Sequence, residues 1–194
     1  MKLKTLAALA LASVLSLVGA AEAATIVLGS GSDSAFYVLE SPNIGTRTYE
    51  IRFTHNEADP LDGWDLLQVV DSYESDLSVQ AFNFGSEEAP NWFVNAITWM
   101  GITETSNSDA PYVPSWTQWV SGGAAGFPTA SPVASGTWSS GSGLSSPYRE
   151  IEPGSWEALK FSDFTTVPTV APVPEPSALM LAFCGMAVFI RRRR

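Results

Sequence analysis

The chain has 194 residues, with ten Lys and Arg against twenty Asp and Glu, for a formal net charge of −10. Six of the ten cations sit at the ends of the chain. Without residues 1–23 and 173–194 the central module carries 4 − 18 = −14. A polyanion of that strength is repelled by nucleic acid and by anionic lipid surfaces, which excludes nucleic-acid binding as its function.

The N-terminus reads as an export signal. Lys2 and Lys4 form a positive region, Leu6 to Val18 an apolar core, and Ala21-Glu22-Ala23 a small-residue cleavage site. Cleavage between Ala23 and Ala24 is expected, after passage through Sec-type export machinery. The apolar core is too short for a stable membrane span.

In the mature chain Thr25 to Gly29 is a short β-rich run, and Phe36 to Leu39 a second candidate strand. Thr48 to His55 alternates cleanly, with Tyr49, Ile51 and Phe53 on one face and Glu50, Arg52 and Thr54 on the other. That is the pattern of a half-buried strand. The period then changes. Asp62, followed three residues later by Asp65, resembles a capping box. Leu66, Leu67, Val70 and Tyr73 form an apolar stripe behind it, so one helix is expected over about 63–73.

Leu77 to Phe84 alternates again, with Leu77, Val79 and Ala81 opposed to Gln80, Phe82 and Phe84. Asn91 to Met100 carries large apolar groups on both faces, as does a strand buried on both sides or one with an aromatic ligand face. Trp116 to Val120 is another short strand. From Ser121 to Pro147, seventeen of twenty-seven residues are Ser, Gly or Pro, so a long loop is expected, with a short strand near Thr137-Trp138. Loops of this length tend to be functional or mobile. Tyr148 to Ile151 and Leu159 to Phe164 are the last candidate strands, and residues 165–172 read as an extended linker. The expectation is one strand-rich α+β domain over 24–164, with an all-β sandwich as the alternative.

The chain ends in three parts in fixed order. Val173-Pro174-Glu175-Pro176 is a rigid polar motif. Ala178 to Ile190 is an uncharged apolar run, and Arg191, Arg192, Arg193 and Arg194 are a cationic stop that stays on the cytoplasmic side. This order resembles the PEP-CTERM sorting tail of exported proteins from Gram-negative bacteria that make exopolysaccharide. The resemblance implies inner-membrane retention, then processing near Pro-Glu-Pro by an exosortase-like enzyme, and delivery to the cell surface or matrix. The apolar run is about 20 Å long as a helix against a hydrocarbon core of about 30 Å, which favours transient over permanent anchoring. The lone cysteine, Cys184, lies within it, so the module has no disulfide, thiol nucleophile or cysteine metal site.

A second resemblance covers roughly Tyr49 to Phe164. The strand Thr48 to Phe53, the helix start Asp62-Gly63-Trp64-Asp65-Leu66-Leu67, the segment Phe93 to Ile97, the strand Ser115 to Val120 and the turn Glu152 to Trp156 follow one another. In that order they are similar to bacterial domains related to the C-terminal β-domain of transcobalamin. That resemblance implies a soluble-ligand-binding β-grasp fold. The Gly/Ser/Pro insertion and the missing Asp of the late turn depart from the pattern, and cobalamin is not implied as a ligand.

Chemistry-bearing residues are few. His55 is the only histidine, and it ends a strand beside Asn56 and Glu57 as a surface residue would. The acids lack EF-hand spacing; capping and a solvated face account for those near the helix. The seven tryptophans are the richer signal, because exposed indole rings stack on sugars and their N–H offers a polar handle. Trp116, Trp119 and Trp138 form the candidate ligand face, with Trp138 the most exposed. The sequence therefore points to a non-enzymatic surface or matrix protein that associates with exopolysaccharide, with no cofactor. A small-ligand-binding β-grasp module and a glycan hydrolase are the alternatives.

Overall fold

The computed structural model describes residues 25–173. The cleavage site Ala23–Ala24, the motif residues Pro174, Glu175 and Pro176, Cys184 and the arginines Arg191 to Arg194 lie outside the described residues. No helix among the described residues is long and apolar enough to cross a membrane.

The described chain is strand-rich α+β, with a single helix. Twelve strands run in order: β1 Ile26–Gly29, β2 Asp33–Ser41, β3 Gly45–Phe53, β4 Leu77–Asn83, β5 Trp92–Trp99, β6 Ile102–Thr105, β7 Ser115–Ser121, β8 Ala124–Ala125, β9 Ser131–Pro132, β10 Ser139–Ser140, β11 Arg149–Glu150 and β12 Trp156–Ser162. The helix, α1, spans Gly63–Tyr73 between β3 and β4. A mixed six-stranded sheet has the order β1-β3-β2-β12-β7-β10, and two three-stranded sheets have the orders β4-β5-β6 and β11-β8-β9. In the large sheet β2 pairs antiparallel with β3 as a hairpin, β12 lies parallel to β2, and β7 lies antiparallel to β12.

The helix starts where its side chains satisfy the orphan N–H groups. The Asp62 carboxylate accepts from the Asp65 N–H at 2.9 Å, and Asp65 accepts from the Asp62 N–H at 3.1 Å. The second Asp62 oxygen accepts from Ser146 N–H at 2.9 Å, which fixes the long loop to the helix start. Gly63, a poor interior residue by propensity, sits where space is tight: a Cβ would lie 3.1 Å from the Glu157 carboxyl carbon and from the Leu144 carbonyl oxygen. Leu66, Leu67 and Val70 are buried against the large sheet and β4–β5, as their spacing predicts, whereas Tyr73 is 56% exposed.

The large sheet is covered on both faces, and that decides where the tryptophans go. One face, carrying Tyr37, Leu39, Tyr49, Ile51, Trp116 and Leu159, packs on α1 and the β4–β5 sheet. The other, carrying Val38, Trp119, Trp156 and Ala158, is packed by Phe36, Trp138 and Val170. The residues after β12 therefore behave otherwise than as a free linker. Glu40 and Lys160, 7% and 8% exposed, form an ion pair at 2.6 Å. Lys160 also donates to the Val167 carbonyl at 2.9 Å, while Glu40 accepts from the N–H and hydroxyl of Thr169 at 2.7 and 3.0 Å. Trp138 Nε1 donates to the Val170 carbonyl at 2.8 Å, and Pro168 and Pro172 are buried. At the start of this strap, hydrogen bonds from Thr166 and Thr165 hold the Asp163 carboxyl down at about 2.

Candidate functional site: an aromatic face beside a cleft

On β4 the alternation expected from the sequence is realised, whereas β5 shifts register against it, with Gln80 opposite Ala96 and Ala81 opposite Val94. Leu77, Val79, Val94, Ile97 and Trp99 turn toward the core. Phe82 and Phe93 are cross-strand partners on the opposite face. Phe84 meets Phe93 edge-on with ring centroids 5.5 Å apart, and Phe82 at 6.4 Å. These three rings are 48% (Phe82), 72% (Phe84) and 42% (Phe93) exposed. Phe93 also forms the lip of a cleft of about 100 Å³ between β5 and β7. Trp92, Trp116, Gln118, Ser140 and the exposed Phe164 line its other sides. Trp92 is itself stacked on Trp64 at 4.8 Å.

A buried charged node shapes the cleft wall. Arg149 is fully buried, and its Nε donates to Glu157 at 2.7 Å. Its remaining N–H groups reach the carbonyls of Gly122, Ala124, Glu150 and Trp156. Burial pushes the Glu157 carboxyl up, and the Arg149 charge and the Gln118 hydrogen bond pull it back. Gln118 Nε2 bridges Glu157 at 2.7 Å and the Gly143 carbonyl at 2.9 Å, and its oxygen accepts from Gly143 N–H. The Gly/Ser/Pro loop is thereby held against β7, with Gly141 and Leu144 at the cleft. This node is closed to solvent; it positions the loop.

The three tryptophans singled out in the sequence are not brought together as an open platform. Trp116 and Trp119 point to opposite faces of β7, at 8% and 6% exposure. Their indole N–H groups are taken up internally, by the Glu104 carbonyl and the Thr117 hydroxyl. Trp138 is half-buried, edge-on to Trp156 and hydrogen-bonded to the strap. The exposed aromatic face is instead made of the phenylalanines of β4 and β5. Of the sorting motif only Val173 is described, and it is 57% exposed. His55 packs edge-on to Phe53, and its N–H donates to Asp33. Among the described residues no three His, Asp or Glu side chains gather as a metal-binding group.

No family model, characterised protein or solved structure matches this chain.

Proposed function

We propose that this is an exported surface or matrix protein, sorted by its PEP-CTERM-like tail, whose module binds glycan through the Phe82–Phe84–Phe93 face. The observation that carries the reading is that face. Three exposed rings, joined through Phe84, lie together on a sheet surface in a module of 4 − 18 = −14. Contiguous exposed apolar surface of this kind marks interaction sites in soluble domains. Rings offset edge-to-face present flat apolar surface to the C–H faces of sugars, and the exposed Ser140 at the neighbouring cleft provides a polar contact. The exposed Glu87 and Glu88 follow Phe84, so uncharged glycans are favoured over acidic ones.

The β-grasp reading is supported by the path of the chain. A β2–β3 hairpin is followed by α1, and the closing strand β12 lies parallel to β2 at the sheet centre. The three-stranded β4-β5-β6 sheet is an addition to that plan, and it carries the aromatic face.

The test is sedimentation of the protein with exopolysaccharide isolated from its own host. Replacing Phe84 and Phe93 by Ser should weaken retention about tenfold, since aromatic contacts are worth about 0.5–1.5 kcal/mol each beyond area burial. Equal retention of wild type and double variant would remove the glycan reading.

A further inference from the structure

A second pocket lies at the opposite end of β5 from Phe93, roughly 20 Å away at ~3.3 Å per residue. Two hairpin tips enclose it: Asn43 and Ile44 from the β2–β3 turn, and Met100 and Ile102 from the β5–β6 turn, with Arg47 and Trp99 between. Its volume is about 260 Å³. Asn43 Nδ2 donates to Glu104 Oε1 at 2.7 Å and ties the tips together. Met100 sits at φ 49 beside Gly101 at φ 80. Positive φ at both positions is what the two-residue hairpin loop between Trp99 and Ile102 requires. The loop places the 70% exposed Met100 side chain on the pocket lip.

The charge pattern identifies what the pocket would take. The described residues contain four basic side chains: Arg47, Arg52, Arg149 and Lys160. Three are paired with carboxylates, at 3.0, 2.7 and 2.6 Å. Arg47 alone has no carboxylate within ion-pair distance among the described residues, although acids outnumber bases eighteen to four. Its guanidinium lies over the Trp99 ring at 4.9 Å, an attraction that holds the group at the pocket, and the side chain is exposed. A planar guanidinium matches a carboxylate with two hydrogen bonds.

We propose that this pocket binds a small organic acid. The carboxylate is held by Arg47, and a compact apolar body lies against Ile44, Met100 and Ile102. The volume has room for a body of roughly ten heavy atoms. A single negative charge suits a module of −14 better than a polyanion, which the long-range field repels. The site is separate from the phenylalanine face, so it stands or falls independently of glycan binding.

The experiment titrates isotope-labelled protein, recovered from its host, with 4-phenylbutanoate and with its neutral amide, followed by NMR. The acid should give saturable shifts in the Trp99 indole N–H and the Ile44 and Ile102 methyls, with Kd in the millimolar range. The amide should bind about tenfold more weakly. Arg47→Gln, at an exposed position, should lose the acid's advantage while leaving resonances outside the pocket in place. No saturable shift in these groups, equal binding of acid and amide, or undiminished acid binding by R47Q would each overturn the proposal.

Discussion

Replacing Arg149 by Met tests whether the buried charged node holds the long loop. Arg149 and Glu157 are both fully buried, and the guanidinium makes one bond to the carboxylate and four to backbone carbonyls. Met fills much of the volume but leaves Glu157 as a buried acid supported only by Gln118. Removing one partner of a buried pair costs about 3–5 kcal/mol, because the remaining charge is uncompensated. For a domain of this size 1 kcal/mol moves Tm by about 2–4 °C, so a fall of roughly 10 °C is expected.

The pH dependence gives a second arm. Burial already places the Glu157 carboxyl above its ordinary value, and Arg149 is the main group opposing that shift. A carboxyl with a raised folded pKa binds more protons folded than unfolded across the window between the two values. Its burial therefore costs more stability as pH rises through that window. Loss of Arg149 extends the window upward. The deficit of R149M, measured by thermal melts followed by circular dichroism, should be larger at about pH 8 than at about pH 5. Adding Glu157→Gln should recover part of it at the higher pH. A Tm within about 3 °C of wild type, or a deficit independent of pH, would refute the reasoning.

Glu40→Gln should loosen the strap, because an amide cannot accept from Lys160 and Thr169 as the carboxylate does. Exchange of the Thr169 N–H should quicken at least about tenfold, and cleavage by added protease should concentrate within 165–172. The intact mass of the protein recovered outside its host should end near Pro176. A mass that retains Arg191 to Arg194 would make the tail a lasting anchor and weaken the sorting reading.

Local order along the chain was legible because it is set by neighbours in sequence. The Asp62/Asp65 pair and the Leu66-Leu67-Val70 stripe determine where α1 begins and which side it buries, and the structure adds why Gly63 is tolerated. Alternation in β3 and β4 fixed which side chains share a face, including Phe82 and Phe84 opposite Leu77 and Val79. The short strand β6 escaped notice, since four residues paired only through β5 leave little periodic signal.

Which faces are open was decided by tertiary structure alone. Parity along β7 separates Trp116 from Trp119, but both are buried because distant segments cover both faces of the sheet. The helix and the β4–β5 sheet close one side, and the Trp138 loop with the 163–172 strap closes the other. A stretch of Thr, Val and Pro reads as a linker because its anchors, Glu40 and Trp138, lie 129 and 32 residues from their strap partners. The same holds for Arg47. Its sequence shows an ordinary strand cation, and only the folded chain sets it on Trp99 without an ion-pair partner among the described residues. Side-chain type and local period are properties of the sequence, whereas exposure depends on what the rest of the chain lays over each face.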